Sequence, residues 1–141
     1  MSTPGQPLCP SAQPEMAAVR LLGVVTADGT VRRLAYLKEV VPVSDELLSQ
    51  AAPVQPTEVF RFAAHCEEKR CTHFDGERCK LASRIVDILP PVVDALPVCP
   101  IRSACRWFTQ EGRAACLRCP QVVTETMDPS PDYARAALPA D

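Results

Sequence analysis

Large side chains are scarce in this chain: its 141 residues include four phenylalanines, two tyrosines and one tryptophan. So few aromatics make a thin core, and at this size extra cross-links matter. Glycine is also sparse, at five residues, and no glycine-rich phosphate loop is present. With only two histidines, the sequence offers no Ser-His-Asp pattern and no pair of catalytic carboxylates. No apolar run is long enough to span a bilayer. The start of the chain lacks the basic stretch and apolar run of an export signal. Together these absences predict a cytoplasmic protein without a membrane association, in a compartment that keeps thiols reduced.

What the chain does have is cysteine, eight of them, and fifteen prolines. The stretch from Cys99 to Pro120, CPIRSACRWFTQEGRAACLRCP, holds Cys99, Cys105, Cys116 and Cys119 at C-x5-C-x10-C-x2-C. Upstream, HCEEKRCTHFDGERC carries Cys66, Cys71 and Cys79 with His65 and His73. Disulfides would explain clustered cysteines in a secreted domain, but reduced thiols point to metal. The formal charge of −2 hides a segregation. Residues 61–84 and 99–119 together carry +5 and the remainder −7, so basic residues gather where thiolates would be. An acidic protein of this kind is a poor candidate for nucleic acid.

Residues 1–18 and 128–141 are proline-rich and lack apolar periodicity, and they are expected to be disordered tails around a single metal-binding domain at 19–127. Val19–Leu37 reads as a β-hairpin turning at Asp28-Gly29. A short helix is expected within Pro42–Ala52, capped by Ser44. Phe60 and Phe62 alternate about Arg61 as in a brief strand. Leu81, Ile85, Ile88 and Leu89 fall at helical spacing, and Pro90-Pro91 ends that helix, with Pro91 opening a further turn. Ser103 and Gly112 bracket a helix of about two turns, with Cys105 in its first turn. The expected fold class is α+β: a small N-terminal β-hairpin (19–37) with short helices and a cysteine-rich, metal-stabilised C-terminal half (66–120).

Four thiolates from Cys99, Cys105, Cys116 and Cys119 suffice for tetrahedral zinc or for a [4Fe–4S] cluster. The five residues between Cys99 and Cys105 exceed the usual zinc spacing. The Cys-Pro pairs at Cys99 and Cys119 resemble ferredoxin-type runs. Cys66, Cys71 and Cys79 form a second set, with His73 as its fourth ligand by spacing; His65, next to Cys66, would need a sharp bend. Cys9 has no ligand near it in sequence and is expected to be free. Arg102, Arg106, Arg113 and Arg118 are read as compensating cluster charge.

The resulting expectation is a small iron–sulfur protein with one or two [4Fe–4S] clusters. It would carry electrons to a protein redox partner or serve as an accessory factor in a redox or biosynthetic pathway. A Zn2+-stabilised interaction module for protein or nucleic acid, without catalysis, is the alternative. An enzyme using an open-site cluster is third.

Overall fold

The computed structural model describes residues 7–28, 31–67, 71, 73–124 and 130–137. They form a mixed α+β structure around a four-stranded antiparallel sheet of order β1-β4-β2-β3. Its strands are β1 (Leu8–Ala12), β2 (Arg20–Asp28), β3 (Val31–Pro42) and β4 (Phe60–His65). β2 and β3 are the expected hairpin; Asp28 pairs with Val31, and Gly29 of the expected turn lies outside the described residues. β3 runs on to Pro42, five residues past the expected Leu37.

Alternation along the strands loads both faces of the sheet. Leu21, Phe60, Phe62 and Ala64 enter one apolar cluster, joined by Ala12, Val19 and Ala51. Leu22, Leu34 and Ala63 enter the other, joined by Ile85, Trp107, Ala115 and Val122. β4 lies between β1 and β2 and is buried through Phe60–Ala64. That burial suits a central strand covered on both sides.

The helices are short: α1 (Asp45–Ser49), α2 (Pro56–Val59), α3 (Lys80–Ile88), α4 (Arg106–Glu111), α5 (Arg113–Arg118) and α6 (Pro131–Ala137). Ser44 caps α1 as expected, its hydroxyl accepting from the Leu47 N–H at 3.1 Å. Pro56 opens α2, where its missing N–H costs nothing. The expected helix across Ser103–Gly112 begins later. Ser103 lies in a 3-10 turn (Arg102–Ala104), and Cys105 occupies the N-cap of α4. Gly112 ends α4 with φ +70°, a conformation open to glycine. Pro90-Pro91 closes α3, but Pro91 starts no further helix. Residues 90–100 run as irregular chain, stapled from neighbouring helices. Arg118 donates to the Leu89 carbonyl (2.7 Å), Gln121 to Pro90 (2.7 Å) and Arg113 to Asp94 (3.1 Å).

Two segments expected to be disordered contribute structure. Leu8–Ala12 is an edge strand on β4, and Pro131–Ala137 is a helix packed on α3. Both are fixed from outside their own sequence, which is why neither shows a period. Pro10 and Ala12 are buried in β1, and Ala136 is buried in α6. Tyr133 accepts from the Val123 N–H (2.9 Å) and donates to the Val123 carbonyl. Among the described residues, no helix is long and apolar enough to cross a membrane.

Candidate metal centres

The cysteines separate into two groups on either side of Trp107. One cavity, of about 20 Å3, is walled by Cys99, Cys105, Cys116 and Cys119 with Tyr36 and Arg102. The other, of about 410 Å3, is walled by Cys66, Cys71 and Cys79 with His65, His73 and Arg106. Cys9 also lines this second cavity, and Trp107 lines both. None of the eight cysteines is in a disulfide.

Each group takes one cysteine from a helix start. Cys79 is the N-cap of α3 and Cys105 the N-cap of α4. The two helices are clamped together by Gln110, which accepts from the Cys79 N–H (2.8 Å) and donates to the Cys79 carbonyl (2.9 Å). Arg78 and Ser83 add bonds to Glu111 at 2.8 and 3.0 Å. Cys116 and Cys119 come from α5 and the 3-10 turn that follows it. Cys99 comes from the irregular segment ahead of the Arg102–Ala104 turn. Cys71 and His73 lie just before the Phe74–Cys79 bridge, which closes a turn in which Asp75 Oδ1 accepts the N–H groups of Glu77 and Arg78, and the His73 carbonyl accepts from the Lys80 N–H at 2.6 Å.

Sequence reasoning missed Arg61. It is the second residue of β4, and its side chain is fully buried, at 0% exposure. The guanidinium donates to the Pro10 carbonyl (2.8 and 3.1 Å), the Cys119 carbonyl (2.7 Å) and the Val122 carbonyl (3.3 Å). It also meets Cys119 Sγ at 3.1 Å and lies 5.6 Å from the centre of the Trp107 ring. None of these bonds goes to a carboxylate. A buried cation is costly unless an anion faces it, and the nearest group able to become one is the Cys119 thiol. Burial lowers the Arg61 pKa, but the charges of Cys119 and Tyr36 outweigh it and the net shift is upward. Tyr36 is pushed up by burial and then by Cys119.

The thiols act on one another within each group. Burial, with smaller contributions from Cys119 and Cys99, raises the Cys105 thiol to about 12 against the opposing backbone N–H groups of Phe108 and Trp107. Burial likewise raises Cys79, with Cys71 and Cys66 adding to it. Cys99 is raised by burial, then by Cys119 and Cys116. Among the described residues, His65 Nδ1, Arg102 Nε and Trp107 Nε1 are buried nitrogens on the cavity walls with no hydrogen-bond partner.

As they stand, the side chains surround these cavities without converging. Among the described residues, no group of three or more His, Cys, Asp or Glu side chains is disposed to hold a metal ion. His73, the expected fourth ligand, is turned to Arg84, whose guanidinium lies 2.9 Å from His73 Nδ1. The chain matches no protein-family model, no curated protein and no solved structure.

Proposed function

We propose that the protein is a small iron–sulfur protein in which the two cysteine groups each hold a [4Fe–4S] cluster, and that it carries electrons to a protein redox partner. The observation that carries this reading is the buried Arg61, 3.1 Å from Cys119 Sγ, on the wall of a cavity bounded by four thiols. An anionic thiolate at Cys119 gives that cation its counter-charge, and an iron–sulfur cluster keeps the thiolate deprotonated. Thiolates around one zinc stand roughly 3.8 Å apart, by tetrahedral geometry from a Zn–S length of about 2.3 Å. A cuboidal cluster places iron and sulfide between them and sets them wider.

The two cavities differ in room. At about 20 Å3, the one bounded by Cys99 has little more space than a water requires. Its Cys99 wall belongs to the irregular segment 90–100, where Val98 is 78% exposed, and holding a cluster there requires that wall to shift outward past its staples at Pro90, Asp94 and Pro97. Trp107 separates the two sites by a single side chain, so an electron entering at one cluster has a short route to the other. Each transfer moves one electron in from a reduced protein donor and one out to an oxidised acceptor.

Arg61, Trp107 and Arg102 would serve the clusters through N–H bonds and positive charge beside sulfur, which raise the reduction potential. Protein isolated anaerobically is expected to be brown, to bleach on reduction and to contain acid-labile sulfide. Colourless protein carrying stoichiometric zinc and no sulfide would establish the interaction-module reading instead.

A further inference from the structure

We propose that Cys9 is the fourth thiolate of the first site, completing Cys66, Cys71 and Cys79, and that His73 is not a ligand. The proposal rests on the metal reading above and fixes the ligand set of one of its two sites.

Cys9 reaches the site through the sheet. β1 pairs antiparallel with β4, setting Cys9 opposite Ala64, two residues before Cys66. The Cys66 N–H donates to the Pro7 carbonyl at 2.9 Å, so the chain on both sides of Cys9 is tied to the start of the cysteine loop. Beyond it, Arg61 holds the Pro10 carbonyl from the fully buried side of β4. A strand fixed at Pro7 and at Pro10 leaves the Cys9 side chain little freedom, and it lines the same cavity as Cys66, Cys71 and Cys79. The wall also includes Trp107, 1% exposed, whose indole N–H has no acceptor among the described residues. A sulfur-rich anionic group in the cavity would supply one.

His73 is excluded by its own hydrogen bond. A guanidinium only donates, so His73 Nδ1 accepts from Arg84, and a neutral imidazole then carries its proton on Nε2. One ring nitrogen is engaged and the other is protonated, which leaves no lone pair for iron. On cluster binding Cys9 loses its thiol proton to water as its sulfur bonds iron, and no iron is left with an open position. Both sites are then four-thiolate sites, a pattern suited to electron transfer over substrate chemistry at an open iron.

The test uses the full chain, reconstituted anaerobically with iron and sulfide, as wild type, Cys9→Ala, His73→Ala and His65→Ala. Wild type should hold about eight iron and eight sulfide per chain. Cys9→Ala should hold at most about seven iron and show a three-iron cluster signal on mild oxidation. His73→Ala should match wild type in iron content and spectrum. Cys9→Ala with wild-type iron and spectrum would overturn the proposal, as would iron loss in His73→Ala or His65→Ala with none in Cys9→Ala. Wild type that holds zinc without sulfide would end the iron–sulfur reading alone, because zinc falling from about two to about one per chain in Cys9→Ala would still assign Cys9 as a ligand. Wild type that binds no metal would end both. Alkylation of Cys9 in wild type needs no variant to fold. Cys9 should be protected in the loaded protein and labelled at least about 10-fold faster after chelation; equal rates would overturn the assignment.

Discussion

Arg61→Met removes the one buried cation in β4 while keeping a similar apolar bulk. The Pro10, Cys119 and Val122 carbonyls lose their donor, and Cys119 Sγ loses a charged partner at 3.1 Å. Each orphaned buried acceptor costs about 1–3 kcal/mol, offset in part by no longer burying a guanidinium. Removing one member of a buried pair costs about 3–5 kcal/mol net. For a chain of this length that is a fall in Tm of roughly 6–20 °C, at about 2–4 °C per kcal/mol. Anaerobic thermal unfolding of the loaded protein, followed by circular dichroism, reads it directly. Arg61→Lys should recover little, since an ammonium keeps the charge but not the planar fork that spans Pro10 and Cys119. In a Cys119→Ser background the same Arg61→Met change should cost less by about 1–3 kcal/mol, because no anion then faces the guanidinium. A loss below about 1 kcal/mol for Arg61→Met, or strict additivity with Cys119→Ser, would refute the account of Arg61 as the counter-charge of a thiolate.

Four further outcomes follow from the same contacts. Gly112→Ala should cost about 1–3 kcal/mol in urea unfolding, since φ +70° with ψ −150° is a conformation nearly confined to glycine. Trp107→Ala should cost about 3–5 kcal/mol, and Trp107→Phe should instead keep most stability but lower a cluster's reduction potential, measured by redox titration, by removing the indole N–H. Gln110→Ala should cost about 1–3 kcal/mol, through the orphaned Cys79 backbone, and lower metal occupancy at the first site without affecting the second. Removing metal should speed hydrogen exchange in β1, the Cys71–Cys79 loop and residues 99–119 far more than in the β2–β3 hairpin, which contains no cysteine.

The elements legible in the sequence were those with local signals. Asp28-Gly29 marked the hairpin, Ser44 marked the start of α1, and the Leu81–Leu89 stripe with Pro90-Pro91 marked α3 and its end. Elements held by long-range contacts were not legible. Pro7 and Pro10, one just before β1 and one inside it, flank Cys9, and the segment becomes a strand only because β4 offers it an edge and Arg61 a donor. α6 depends on Tyr133 reaching Val123. Arg61 looked like the outward residue of an amphipathic strand, and nothing local signals that helices cover that face as well.

The candidate site divides along the same line. The grouping of Cys99, Cys105, Cys116 and Cys119 followed from spacing, and the structure sets all four around one cavity. The grouping of Cys66, Cys71 and Cys79 followed likewise, but their neighbour Cys9 is 57 positions upstream of Cys66 in the chain and joins them only through sheet pairing. His73 had ligand spacing, yet Arg84 on α3 takes its Nδ1. The arginines expected to balance cluster charge divide their work. Arg113 and Arg118 staple the irregular segment, Arg106 lies 5.2 Å from the centre of the Phe74 ring, and Arg102 holds the Pro97 carbonyl while facing the cavity.

Native mass spectrometry of the anaerobically isolated full chain tests the central claim most directly, because it counts clusters and identifies them in one reading. Two separate cluster-building cysteine groups predict a dominant species heavier than the bare chain by two [4Fe–4S] units, with a one-cluster species appearing on partial oxidation. A bare chain, a chain with one cluster at saturating iron and sulfide, or a chain carrying zinc in place of iron and sulfide would contradict it.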